Sequence, residues 1–187
     1  VIGQLSEPFS AGADLKSMLP LFEQGGAKAV EPVERAMQDM VLRLRYAQVP
    51  VVAALAGMAL GGGCELALHC AKRVAHFETY IGLVEVGIGL VPGSGGLAHC
   101  ARRAAQLQAM TAPDIPLLAL LKKTALAVAS AQVSRSAPDA RDIGYLLPSD
   151  TVVMNRYELF YVAVREAAML AEAGWRPPLP GLFPVAG

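Results

Sequence analysis

Two carboxylates in this chain stand in surroundings that do not suit them. Glu65 follows the triplet Gly61-Gly62-Gly63 by two residues, and Glu85 interrupts the apolar run Ile81-Gly82-Leu83-Val84-Glu85-Val86-Gly87-Ile88. A lone carboxylate in such a run is costly to bury unless it is paired or hydrogen-bonded, so Glu85 belongs either at a surface or at a functional site. Paired carboxylates suit chemistry in which one takes a proton and the other gives one. The glycine triplet adds a second ingredient. Between an apolar strand and a helix it lets the backbone approach a ligand and leaves N–H groups free at the positive end of the helix dipole, where a developing oxyanion can be held. The plainer alternative is that three glycines make a turn, and from this segment alone the two readings weigh equally.

The elements that must position these groups alternate between strand and helix. Ser10-Ala11-Gly12-Ala13-Asp14 is a small-residue loop feeding a helix that opens at Leu15, and Gln24-Gly25-Gly26 breaks that helix. Val33, Met37, Met40, Val41 and Leu44 then recur at helical spacing with charged residues between them, which predicts an amphipathic helix ended by Pro50. Val51 to Ala56 is a continuous apolar run of strand length, as expected for a parallel strand covered on both faces. Gly57 to Gly63 reads as a loop, Glu65 to Arg73 as a helix and Val74 to Phe77 as a short strand. Leu97 to Met110 predicts a helix and Leu117 to Ala131 an apolar, Ala-rich segment. Pro138, Gly144 and Pro148 punctuate a stretch read as loop, Asn155 to Ala173 is a last helix stopped by Gly174, and four prolines mark the tail.

Composition narrows the function classes. The 187 residues carry 16 Lys+Arg against 16 Asp+Glu, with 54% hydrophobic and only 17% charged. Disorder is excluded, and a neutral chain without a basic run has no electrostatic footprint for nucleic acid or an anionic membrane surface. The longest uncharged window, Tyr46 to Cys64, is broken by Pro50, Gly57 and the glycine triplet, so a spanning helix is not expected. Three cysteines, Cys64, Cys70 and Cys100, argue for a reducing compartment, and the cytoplasm is the expected location. The chain opens Val1-Ile2-Gly3 without an initiator Met or a targeting segment, which reads as a start inside a longer protein.

Three segments together resemble the signatures of the crotonase (enoyl-CoA hydratase/isomerase) family, and they stand in family order. They are Phe9-Ser10-Ala11-Gly12-Ala13-Asp14-Leu15, Ala59-Leu60-Gly61-Gly62-Gly63-Cys64-Glu65-Leu66-Ala67, and the run from Gly82 to Gly96 containing Val84-Glu85 and Pro92-Gly93-Ser94-Gly95-Gly96. The segments Glu78 to Glu85, Ala140 to Asp150 and Ala173-Gly174-Trp175-Arg176-Pro177-Pro178 further resemble the hydratase portion of bacterial 3-hydroxyacyl-CoA dehydrogenase fusions. The resemblance implies an α/β, crotonase-like ββα superhelix, incomplete at its N-terminus, with C-terminal helices. It divides the chain into a core over residues 1–135, a helical segment over 136–174 and a Pro-rich tail over 175–187.

It also implies roles. The backbone N–H groups of Ala13 and Gly62 would form an oxyanion hole for a thioester carbonyl, and Ala11, Asp14, Leu15 and Lys16 would line the coenzyme A moiety. Glu65 and Glu85 match the two catalytic carboxylates of hydratases. Family isomerases commonly lack the equivalent of Glu65, so both acids together favour syn addition of water to a 2-trans-enoyl-CoA, giving a 3-hydroxyacyl-CoA in fatty-acid β-oxidation. The substrate would bring coenzyme A, the chain would bind no cofactor or metal of its own, and NAD would belong to a linked dehydrogenase. A homo-oligomer, trimeric or hexameric, or a multidomain enzyme is expected, with no nucleic-acid or membrane partner. The alternatives are an enoyl-CoA isomerase and a non-catalytic assembly module. Val84 stands where many hydratases have Pro, and residues 106–128 depart from the single-domain pattern.

Competing motifs are weaker. Gly93-Ser94-Gly95-Gly96-Leu97-Ala98 formally fits a dinucleotide fingerprint, but Pro92 intervenes and the acid at the right distance, Asp114, lies between Pro113 and Pro116. Ser94 as a nucleophile lacks the glycine that the elbow motif needs at position 92, so it reads as a turn serine. His69-Cys70 and His99-Cys100 lack zinc-ligand spacing and read as packed residues, and His76 shows no discernible partner.

Overall fold

A computed structural model describes residues 1–4, 6, 8–111 and 114–185, and of Thr111 the backbone; Pro113 therefore lies outside the described residues. Among the described residues, four parallel strands form one sheet in the order β1 (Ile2–Gly3), β2 (Val52–Leu60), β3 (Lys72–Gly82) and β4 (Thr151–Val153). Six helices accompany them among the described residues: α1 (Leu15–Arg45), α2 (Gly62–His69), α3 (Gly96–Thr111), α4 (Leu117–Ala129), α5 (Ala137–Ile143) and α6 (Leu159–Glu172).

The apolar run at the start of β2 is buried on both faces, as its composition predicts. Successive side chains point to opposite sides of a strand. Ala53 and Leu55 accordingly enter a core with Leu68, Ala75, Ile81, Leu83, Tyr145 and Leu146, while Val52 and Ala54 enter a second core with Val74, Leu159 and Ala163 of α6. Both strands are longer than their apolar runs suggest, because β2 continues to Leu60 and β3 begins at Lys72 and runs to Gly82. A register irregularity between Leu55 and Gly57 accommodates the two lengths.

Five sequence expectations are corrected by the structure. The helix expected over 65–73 spans Gly62–His69, since Arg73 is already paired in the sheet with Ala53. The break expected at Gly25-Gly26 is present as a non-helical kink at Gly26, where φ is 59° and ψ −152°, but the helix that follows it ends at Arg45, before Pro50 is reached. Pro138 and Gly144 are the boundaries of α5: Ser136 caps it by accepting from the Asp139 N–H, Pro138 lies in its first turn, and Gly144 closes it at φ 111°. The last helix starts later than expected, after a 3₁₀ turn over Arg156–Glu158 capped by Asn155. His76 does have partners, with Nε2 3.1 Å from the Met154 carbonyl and Nδ1 accepting from the Glu78 N–H at 3.3 Å.

One ion pair ties β3 to the segment before β4. Arg73 Nε donates to Asp150 Oδ2 at 2.8 Å, with side chains only 3% and 1% exposed, and the Asp150 carboxylate also accepts from the backbone N–H groups of Arg73 and Leu147. A buried guanidinium left without its carboxylate is costly. Asp150→Ala is expected to lower unfolding free energy by about 3–5 kcal/mol, read from urea denaturation midpoints.

Candidate active site

The site is assembled where β2 and β3 end. Phe9 and Ser10 run alongside β2: the Phe9 N–H donates to Ala56 O at 3.0 Å, the Ser10 N–H to Met58 O at 2.9 Å, and the Leu60 N–H returns to Ser10 O at 2.9 Å. This ladder lays the Ser10–Asp14 loop against the start of α2. Gly63 is required there, because a Cβ on it would fall 2.4 Å from the Ser10 Cβ. The Gly61 N–H donates to Gly82 O at 2.9 Å, joining the ends of β2 and β3. Just beyond β3, Glu85 opens a 3₁₀ turn and places its Oε1 3.0 Å from where a Gly61 Cβ would stand, at a Gly61 φ of +53° that also disfavours a side chain.

Two adjoining cavities result. The larger, about 620 Å³, is lined by Asp14, Gly62 and Leu66; the smaller, about 140 Å³, by Ala11, Leu15, Glu65 and Glu85; Ala13, Glu34 and Ser94 border both. Among the described residues, the N–H groups of Ala13 and Gly62 donate to no protein acceptor. For Gly62 this follows from helix geometry, since the first N–H groups of a helix have no partner within it. Asp14 caps α1 by accepting from the Lys16 N–H at 3.1 Å and from Ser17 Oγ at 2.6 Å, and those bonds, with that from Ser17 foremost, hold its carboxyl below the usual range. Lys16 is exposed and borders neither cavity.

The electrostatics concern three acids. Glu65 is 2% exposed, and its Oε1 accepts from the Gly96 N–H at 2.8 Å. Burial pushes its carboxyl up to about 7; the Gly96 bond opposes the shift, and the charges of Glu85 and Glu34 add to it. Glu85 is raised as well, chiefly by burial, and its Oε2 is buried without a hydrogen-bond partner. Glu34, from the polar side of α1, accepts from Ser94 Oγ at 3.0 Å and brings a third carboxylate to the cavity wall.

Sequence reasoning singled out Glu65, Glu85, Ala13, Gly62, Ala11 and Leu15, and the fold brings all of them to these two cavities. It missed Glu34 and Gly96; Ser94 stands in a turn, as read, and its hydroxyl also reaches the cavity wall through Glu34. The interrupted apolar run marks Glu85 from sequence alone, whereas Glu34 has no such mark within its amphipathic helix.

Glu65 also sets a linkage between pH and stability. Its folded-state pKa of about 7 lies above the ordinary 4.5, so the native state binds the extra proton and stability is lost as pH rises between those values. Unfolding free energy is expected to fall by on the order of 3 kcal/mol across that window, with Glu85 contributing in the same direction, and Glu65→Gln is expected to flatten most of the slope in denaturation curves taken from pH 4.5 to 8.

Comparison with known proteins gives this geometry its context. The profile of the Enoyl-CoA hydratase/isomerase family matches residues 1–117. A probable 3-hydroxyacyl-CoA dehydrogenase of Bacillus subtilis is 37% identical over 179 residues, covering 96% of this chain but 22% of the relative. A putative fatty acid oxidation complex trifunctional enzyme of Rickettsia felis is 46% identical over 91 residues, 49% of this chain and 13% of that protein. The chain thus spans less than a quarter of either relative. Among solved structures, an enoyl-CoA hydratase from Polaromonas superposes with a TM-score of 0.70 at 23% identity, over 90% of this chain and 57% of that one. One from Bacillus anthracis gives 0.64 at 26% identity, with the same coverage. The parallel sheet with its C-terminal helices is a crotonase-like fold, and the chain belongs to the enoyl-CoA hydratase/isomerase family.

Proposed function

We propose that this chain carries the hydratase site of a fatty-acid β-oxidation enzyme, adding water across the double bond of a 2-trans-enoyl-CoA. The observation that carries the reading is the gathering of two carboxylates that burial makes less acidic, Glu65 and Glu85, and two backbone N–H groups without a protein acceptor, Ala13 and Gly62, around two adjoining cavities. Ala13 and Gly62 are assigned to the thioester oxygen. Their N–H groups, set before the reaction, would hold the enolate that forms when water attacks C3, and loss of one such donor typically costs about 3 kcal/mol of transition-state stabilisation. Glu65 is assigned as the base: fixed through Oε1 by Gly96, it takes a proton from water as the oxygen bonds to C3. Glu85 is assigned as the acid that delivers a proton to C2 as the enolate collapses. One C–O and one C–H bond form, the C=C π bond breaks, and the water proton left on Glu65 must return to Glu85 or to solvent before the next cycle. Possession of both acids favours hydration over isomerisation, which needs only one.

Coenzyme A would lie along Ala11, Asp14 and Leu15. With Asp14 bound to its own helix and Lys16 turned to solvent, that contact would rest on backbone and apolar surface. The acyl chain would follow an apolar groove of about 310 Å³ lined by Leu15, Met18, Leu19, Phe22, Ile88 and Leu90, four of which also border the cavity holding the carboxylates. A linked dehydrogenase, and with it NAD, would lie in the remainder of a longer enzyme, in keeping with the relative's name and length. No helix among the described residues is long and apolar enough to cross a membrane.

Glu65→Gln and Glu85→Gln are each expected to slow crotonyl-CoA hydration by about 10²- to 10⁴-fold with the fold intact by circular dichroism; a wild-type rate in either variant refutes its assigned role. In the unaltered chain the rate is expected to rise as pH climbs through about 7, as Glu65 ionises. Leu19→Trp, which fills the groove and touches no carboxylate, is expected to lower the rate on long-chain enoyl-CoA about tenfold and leave crotonyl-CoA unchanged in parallel assays.

A further inference from the structure

The end of α2 away from Glu65 opens on a different chemistry. A cavity of about 330 Å³ there is lined by Arg45 at the end of α1, His69, Arg73, His99 and Arg103 of α3, and Arg176 of the tail. It shares no lining residue with the two cavities described above. Among the described residues that line it, none is acidic. Arg73 is matched by Asp150, but Arg45, Arg103 and Arg176 form no ion pair among the described residues.

Two nitrogens buried beside this cavity also lack hydrogen-bond partners. His99 is 6% exposed with its Nδ1 unpaired, and the Nε of Arg45 is equally unpaired. Buried polar atoms are almost always satisfied, so each orphan calls for a cause, and an absent ligand is one. The groups also crowd one another. Burial first, then neighbouring Arg102 or Arg73, lowers the pKa of Arg45 and Arg103, and burial and the same arginines lower that of His99. The C-terminal dipole of α2 supplies only about half a negative charge, and Asp150, which also acts on Arg103, is already bound to Arg73. A multiply charged anion would offset the rest.

Guanidinium forks match the oxygens of phosphate in pairs of hydrogen bonds, and the volume exceeds what a single halide would fill. Leu147, Trp175 and Pro178 add an apolar wall suited to the organic part of a larger ligand. We propose that this cavity is a binding site for a diphosphate group, free or borne by a small molecule, separate from the site of Glu65 and Glu85. The proposal stands on the cationic cavity alone and does not depend on the hydratase reading.

Isothermal titration of the chain with inorganic diphosphate and, separately, with adenosine diphosphate tests it. Saturable binding is expected, weakened by salt, and reduced about tenfold or more by Arg103→Gln and by Arg45→Gln but not by Lys123→Gln on α4. Thermal unfolding of each variant distinguishes lost binding from lost folding, and Arg103→Gln decides the matter if Arg45→Gln fails to fold. Tighter binding of the nucleotide would assign the apolar wall to a ligand body; equal affinity would assign the site to the diphosphate group alone. Absence of saturable binding by both probes at millimolar concentration, or affinity unchanged in the folded arginine variants, overturns the proposal.

Discussion

Burial of the Glu65 carboxylate is the constraint around which the rest of the site is arranged. A carboxylate removed from water must be protonated or hydrogen-bonded, and here one backbone donor, Gly96 N–H at 2.8 Å, meets it. That single bond requires the turn over residues 93–95 to fold back over α2, so that α3 begins against the side chain. Burial raises its pKa to about 7, and the bond from Gly96 offsets that rise only in part. A better satisfied carboxylate would be a weaker base near neutral pH. The cost of burial and the raised proton affinity of the group have the same physical origin.

The sheet supplies the rigidity that such a group needs. Strands β2 and β3 are parallel and carry a packed core on each face, so their ends are held from both sides. The hydrogen bond from Gly61 to Gly82 joins those ends, and the loop to Asp14, the start of α2 and the turn holding Glu85 all depart from there. Sites in parallel α/β sheets commonly form outside the carboxyl ends of the strands, and this chain follows that geometry. Charge is sorted along α2 as well. Three carboxylates gather near its first turn, while arginines and histidines gather at its last.

The unusually apolar composition has a partial structural account. Much of it fills the two cores, but Leu118, Leu126, Tyr161, Val164 and Met169 on α4 and α6 are more than half exposed. Such surfaces are those through which domains and subunits meet, and the chain corresponds to only 57% of the length of the hydratase structures it superposes on.

Local chemistry made some features legible from sequence alone. The doubly buried strand followed from an uninterrupted apolar run, the free N–H groups of the glycine triplet from its place between strand and helix, and Glu85 from its conflict with apolar neighbours. Helix α5 and strand β4 were not legible in that way. The helix has seven residues and the strand three; the helix packs against β3 and the strand pairs with it, contacts made across a long stretch of chain. Glu34 and Ser94 lie 60 positions apart, and their hydrogen bond exists only because α1 crosses the turn before α3. The cationic groups of the other cavity are likewise drawn from separate segments, so a neutral chain conceals it. Sequence by itself determined which residues resist their surroundings, because burial cost and backbone freedom are properties of residue type and near neighbours. Which of those residues share a cavity, and how far burial shifts their proton affinity, was decided by tertiary structure, since distance and desolvation exist only once the chain has folded.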